Sequence, residues 1–340
     1  MSKQEKLQIK LNLRQFLNKK FFEMEITVNM KDMIRIQQED GYITQLFPFY
    51  TTAPSVAGSI LVLHGMAEHH ERYLEFAHFL NESGFDVYLY DHRGHGTDKK
   101  LDDLGFFANQ NGYKKVIADA ITVLNYVREH NRSKRLALFA HSMGSLIARN
   151  VIQQDDALDC VILSGSTCPP VIKSMAGRSV TSAICLFRGK RYRTKSLDQL
   201  LFGGKKYTVL CKRTAFDWLT RNNTLVGAYI NDPYCGFLCT SSFYHDLVCL
   251  AYYASKKKRI LHTRKDLPIL FISGEKDPVS NYGKEITALH QFYQKTGFTK
   301  TSCKLYPECR HELLNELNQD EVFEDILEFY QKILKDGEKY

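Results

Sequence analysis

Residues 136–146 read Leu-Ala-Leu-Phe-Ala-His-Ser-Met-Gly-Ser-Leu. The apolar run Leu136 to Ala140 has the composition of a buried strand. The helix-compatible run Ser145 to Gln153 follows with only His141-Ser142-Met143-Gly144 between them. A serine at such a strand–turn–helix elbow is lifted clear of the sheet edge by a strained turn, provided that small neighbours let strand and helix close together. Gly144 meets that need, whereas the first small position of the usual G-x-S-x-G pattern is Ala140, one methyl group larger. Serine is also a preferred helix N-cap. Ser142 therefore has two readings, an activated nucleophile or a cap, and partners elsewhere in the chain must decide between them.

The 340 residues, 44% of them hydrophobic, suffice for one large core with an insertion. No run approaches the roughly 20 apolar residues that span a bilayer, and the start, MSKQEKLQIK, lacks the apolar stretch of a signal peptide. Nine cysteines, odd in number and scattered, fit reduced thiols better than a disulfide frame. A cytoplasmic protein is the expectation. Cys235 and Cys239 have no second pair or His at ligand spacing, so no metal is expected there.

The net charge of +8 is unevenly placed. Ser166 to Ile260 carries sixteen Lys/Arg against four Asp and no Glu, a surplus of +12, which leaves the rest of the chain at −4. Such a segment attracts phosphate or an anionic lipid surface. A nucleic-acid role is not expected, because no recognised binding module accompanies the charge.

Residues 1–30 form a basic extension in which Ile9, Leu13, Phe16, Leu17 and Phe21 fall at helical spacing among lysines. Met33 to Tyr50 alternates about Gly41 as a hairpin would. Strand and helix patterns then alternate: strands at Ser59–Leu63, Val87–Tyr90, Leu136–Ala140 and Cys160–Leu163, with helices at Arg72–Ser83 and Tyr113–His130. The rhythm breaks after Ser164 and resumes with a strand at Leu267–Ser273, a helix at Asn281–Lys295, a strand at Ser302–Tyr306 and a last helix at Asp320–Lys335. This βα order predicts a mostly parallel, doubly wound sheet. Its core is assigned to 31–165 and 261–340, and 166–260 to a mainly helical cap over the carboxyl ends of the strands, where ligands of open α/β sheets bind.

Two loops at strand ends supply partners for Ser142. Gly274-Glu275-Lys276-Asp277-Pro278 places Asp277 after one strand, with Glu275 as the reserve acid, and Tyr306-Pro307-Glu308-Cys309-Arg310-His311 places His311 after the last. The chain order Ser142, Asp277, His311 is that of the α/β hydrolases. An oxyanion hole requires two backbone N–H donors. Met143 follows the serine at a helix start, and Met66 follows the turn of Leu63-His64-Gly65, where Gly65 is expected to permit tight chain reversal. His64, His69, His70, His92 and His95 are read as loop-ordering residues, since they show no recognisable ligand spacing.

With these residues in place, the chain resembles the monoacylglycerol lipase and lysophospholipase branch of the α/β-hydrolase superfamily, especially its bacterial lysophospholipase-like members. The matching motifs are HGMAEHHERY (64–73), YDHRGHG (90–96), AHSMGS (140–145), GEKDPVSNYGK (274–284) and YPECRHELLNE (306–316), with RTAFDWLTR and NDPYCGF in the cap. The resemblance covers most of Ile60 to Leu334. It implies a serine ester hydrolase with a Ser142–His311–Asp277 triad, no cofactor and no metal, acting on a small acyl-lipid substrate. General carboxylesterases and serine aminopeptidases share the fold. Ala140 and residues 1–30 depart from the branch. The cap is expected to choose the substrate, with Ala183, Ile184, Leu186, Phe187, Leu200, Leu201, Phe202, Trp218 and Phe243 as candidates for an acyl tunnel, and its charge tilts the expectation toward lysophospholipid and contact with an anionic membrane surface.

Overall fold

The computed structural model describes residues 33–155 and 157–335, so the basic extension 1–30 lies outside the described residues. The expected hairpin is present as β1 (Ile34–Gln37) and β2 (Ile43–Phe49), paired antiparallel about Gly41. β3 (Gly58–Leu63), β4 (Phe85–Tyr90), β5 (Leu136–His141), β6 (Cys160–Ser164), β7 (Ile269–Gly274) and β8 (Thr301–Tyr306) follow. They form one eight-stranded sheet in the order β1-β2-β4-β3-β5-β6-β7-β8. β2 pairs antiparallel with β4, and every pair from β4 across to β8 is parallel.

Every residue of β3, β4, β5, β6 and β7 is buried. That is the burial of parallel strands covered on both faces, and it explains why their sequences are apolar runs rather than alternations. The helix Gly112–His130 shows how one cover is made: Val116, Ile117, Ala120, Val123, Leu124 and Val127 recur at helical spacing and are all buried. The strand order reverses beside β3, whose neighbours are β4 on one side and β5 on the other. The carboxyl ends of β3 and β5 therefore flank the crevice where such sheets take ligands.

Most element boundaries shift by one or two residues from the expectation, and two helices differ by more. The helix after β7 begins at Lys284 instead of Asn281, because Asn281, Tyr282 and Gly283 all have left-handed φ values of 53°, 58° and 77°. The last helix ends at Tyr330 and passes into a π turn over Gln331–Lys335. Between β6 and β7 the chain runs through helices at Val171–Arg188, Lys195–Phe202, Lys205–Thr208, Asn223–Asn231, Ser241–Ser255 and Lys257–Ile260. This is the cap. Among the described residues no helix is long and apolar enough to cross a membrane.

A very close backbone contact lies under the elbow. A methyl group added at Gly144 would sit 2.2 Å from the Leu63 carbonyl oxygen and 2.6 Å from that of His64, both backbone atoms of β3 and its loop. Gly144→Ala is accordingly expected to destabilise the protein by about 3 kcal/mol or more, measured as the urea midpoint. Ala140→Gly, at a buried strand position, is expected to cost about 0.5–1 kcal/mol.

Candidate active site

The elbow is strained as the sequence implies: Ser142 has φ 51° and ψ −117°, a region that costs a non-glycine residue about 1–3 kcal/mol. Its backbone is over-determined. The Ser142 N–H donates to Ser164 O at 2.9 Å, and its carbonyl accepts from the Ser145 N–H at 3.0 Å and the Ser145 hydroxyl at 2.5 Å. The Ser142 side chain makes no capping bond to the helix Met143–Val151 that it precedes. It meets His311 instead, with Oγ 2.9 Å from Nε2.

His311 Nδ1 lies 3.1 Å from Asp277 Oδ1. A carboxylate only accepts, so the ring proton sits on Nδ1 and Nε2 is left to accept from the serine hydroxyl. Asp277, fully buried, is itself held by the Val279 N–H on Oδ1 at 2.8 Å and the Ser273 hydroxyl on Oδ2 at 3.2 Å. The reserve acid Glu275 is exposed, its backbone N–H tied to Tyr306 O. Burial pushes the His311 imidazolium down, but Asp277, with Glu312 and Glu68 behind it, more than restores it and carries its pKa above the ordinary value. The neighbouring His141, 4.7 Å away ring to ring, is driven by burial and by His311 down to about 3 and stays neutral.

The loop after β3 is pinned at almost every polar atom. The Gly65 N–H donates to Glu68 Oε1 at 2.5 Å, and the Ala67 N–H donates to His95 Nε2 at 3.2 Å. The His92 N–H donates to His64 Nε2 at 3.0 Å, which leaves His64 Nδ1–H to donate to the Gly65 carbonyl at 2.7 Å. Burial holds His64, His92 and His95 at about 3, so all three are neutral around pH 7. His70 instead grips Asp91, which accepts from its backbone N–H and faces its Nδ1, both at 2.7 Å. Among the described residues the Met66 N–H has no hydrogen-bond partner, and Met66 and Met143 both border the same cavity as Ser142 and His311. Gly65 acts through space rather than dihedral: a Cβ there would lie 2.6 Å from Glu68 Oε1 and 3.2 Å from Ser142 Cβ. The left-handed residue of the loop is Ala67, φ 52°.

Sequence reasoning missed the buttress behind these groups. Arg72 donates to Glu68 Oε2 at 2.6 Å and makes a two-pronged bond to Glu312, 2.7 Å on each arm. One guanidinium thus joins the loop after β3 to the loop that carries His311. Burial pushes the Glu312 carboxyl up, but Arg72 outweighs it and holds it at about 2. Both glutamates and the arginine stood inside quoted motifs, and only their convergence was hidden. His69 and Cys235 also meet, with Asp232, their donor atoms within 4.8 Å of one another, while Cys239 lies apart from that group. In that group His69 Nε2 is 2.7 Å from Asp232 Oδ2.

The cavity has a volume of 1060 Å³. Trp218 borders it, its ring 5.2 Å from that of His311 and stacked on Phe202, which with Leu200 and Leu201 also borders the space. The other tunnel candidates fall elsewhere. Phe243 is wholly buried in the core against Phe107 and His95, Leu186 and Phe187 are 79% and 81% exposed, and Ala183 and Ile184 do not reach the cavity. Helical spacing marks an apolar face without saying whether core, cavity or solvent meets it. Val180, Leu247 and Phe237 border the cavity instead.

Residues 54–318 match the family model Hydrolase_4, described as serine aminopeptidase, S33. The chain belongs to this family. It is 27% identical over 290 residues to a probable lysophospholipase L2 of Haemophilus influenzae, covering 79% of this chain and 80% of that one. It is 24% identical over 294 residues to a monoacylglycerol lipase of Mycolicibacterium smegmatis, covering 84% and 92%. Among solved structures, a thermostable carboxyl esterase from Bacillus coagulans superposes with a TM-score of 0.81 at 26% identity, over 89% of this chain and 98% of that one. The α/β-hydrolase fold is thereby assigned.

The charge on His311 gives a direct test of the geometry. NMR titration is expected to place its midpoint above 6.5. Asp277→Asn removes the charge that favours the imidazolium, so the midpoint must then fall; an unchanged midpoint would show that the two groups do not interact.

Proposed function

We propose that the protein is a serine ester hydrolase of single-acyl-chain lipids, lysophospholipid or monoacylglycerol. The observation that carries the reading is the alignment of Ser142 Oγ, His311 and Asp277 at 2.9 and 3.1 Å on the wall of a 1060 Å³ cavity bordered by Leu200, Leu201, Phe202 and Trp218. Ser142 Oγ attacks the ester carbonyl carbon while its proton passes to His311 Nε2, and Asp277 stabilises the imidazolium so formed. The carbonyl oxygen becomes an oxyanion held by the N–H groups of Met66 and Met143. Collapse expels the alcohol, protonated by His311, and leaves an acyl-serine. Water, deprotonated by His311, then releases the fatty acid and restores the serine. No step calls for a cofactor or a metal.

The family description names an aminopeptidase, which must seat a substrate ammonium on a carboxylate. The carboxylates bordering the cavity are already engaged: Glu68 and Glu312 by Arg72, Glu285 by the Thr167 hydroxyl and Cys168 N–H, and Asp198 by the Tyr244 hydroxyl. An ester therefore fits better than an aminoacyl amide. A small acyl ester is the runner-up substrate, favoured by the likeness to the carboxyl esterase. The cap, assigned to 166–260, carries the +12 surplus together with exposed Ile172, Leu186 and Phe187. This combination supports peripheral contact with an anionic membrane surface. All nine cysteines are free thiols, which accords with a cytoplasmic site of action.

A fluorophosphonate probe should label the wild type and not Ser142→Ala, and that variant should lose at least about a thousandfold in kcat/KM on acyl esters. Protonated His311 cannot accept the serine proton, so kcat/KM should fall on acidification with a midpoint above 6.5. In sedimentation with vesicles, binding to phosphatidylglycerol should exceed binding to phosphatidylcholine and weaken with salt; equal binding to both would remove the membrane part of the reading.

A further inference from the structure

The cap meets the loop after β3 at the Ala67 carbonyl. Ala67 O accepts two hydrogen bonds, both from the cap: the Tyr229 hydroxyl at 2.9 Å and the Gly236 N–H at 2.9 Å. Ala67 is the residue directly after Met66 and holds a left-handed φ of 52°, a conformation that alanine does not adopt unaided. Its own N–H is fixed by His95. Two residues on, His69 bonds Asp232, so the cap segment 229–236 grips the loop at a second point. Tyr229 is buried, and the Arg72 guanidinium that ties Glu68 to Glu312 lies over its ring at 4.8 Å.

From this geometry we infer that Tyr229 is a positioning residue for the oxyanion hole, and that docking of cap segment 229–236 holds the Met66 N–H in the direction of the developing charge. The inference rests on the serine ester hydrolase reading and adds a task for the cap besides shaping the cavity. With Ala67 O held from the cap and Ala67 N–H held from His95, the strained dihedral cannot relax, and the neighbouring Met66 amide cannot turn away to find another partner. If the segment lifts, Ala67 loses both bonds to its carbonyl and is free to return to φ < 0, which would shift Met66 and draw its N–H out of line against the hold of His64 on the Gly65 carbonyl of the same peptide. The full oxyanion hole then exists only while this part of the cap is seated. Preorganised donors matter because they are already aimed when charge appears, and small misplacements cost much of the effect.

Tyr229→Phe removes one oxygen and keeps the ring beneath Arg72. It is expected to lower kcat on a short acyl ester about tenfold, a fraction of the loss seen when a whole oxyanion donor is removed, with KM changed less than about twofold. A trifluoromethyl ketone supplies the readout that mere structural support would not move. Ser142 Oγ adds to its carbonyl carbon, the serine proton goes to His311, and the former carbonyl oxygen becomes an oxyanion whose titration is followed by fluorine NMR. In Tyr229→Phe the oxyanion pKa should rise by about one unit, the counterpart of a tenfold loss. Should the variant fail to fold by thermal melting, Asp232→Asn, which keeps the Tyr229 hydroxyl and alters the carboxylate that bonds His69 and the Tyr234 N–H, is read in the same way. An unchanged oxyanion pKa, or a loss confined to KM, overturns the positioning role. A wild type that forms no adduct overturns the serine ester hydrolase reading itself, and this inference with it.

Discussion

The close approach of the helix Met143–Val151 to β3 is the constraint on which the rest of the site depends. Gly144 lies so near the Leu63 carbonyl that a single added carbon would overlap it. Because the helix starts that close, the chain must reverse within one residue as it leaves β5, and Ser142 takes up the strain at φ 51°. The same approach brings Ser142 Cβ within 3.2 Å of where a side chain on Gly65 would begin. Elbow and loop after β3 therefore share one small volume: a Cβ at Gly144 would overlap backbone, and one at Gly65 would displace the Glu68 carboxylate.

Around that volume the parallel sheet does the arranging. β3, β5, β7 and β8 all point their carboxyl ends to one edge, so the loops carrying Met66, Ser142, Asp277 and His311 converge although they lie far apart in the chain. Convergence alone does not aim the groups. Arg72 links two of these loops through Glu68 and Glu312, and neutral His64, His92 and His95 take up the loose backbone groups of the one that carries Met66. Burial of polar groups is tolerable here because nearly all are partnered, which is also what makes the arrangement stiff.

Much of this was legible in the residues. Apolar runs named the buried strands, periodicity named the helix from Tyr113 to His130, and a serine, an aspartate and a histidine after separate strands named the candidate site. Harder to read were groups whose role depends on what they face. Leu186, Phe187 and Phe243 share one chemistry, yet two are exposed and one is core. The loop's left-handed residue proved to be Ala67 rather than Gly65, because two cap donors on its carbonyl hold a conformation that no local preference would select.

The sequence by itself determined the order of elements, the elbow and which serine, histidine and aspartate stand at the strand ends, since each follows from local pattern and from position after a strand. Tertiary structure alone decided which apolar side chains border the cavity, how Arg72 braces two distant loops, and that Tyr229 reaches Ala67 across 162 residues of chain. The physical reason is one of range: periodicity and turn chemistry act over a few residues, whereas a hydrogen bond between cap and core exists only once both have folded against each other.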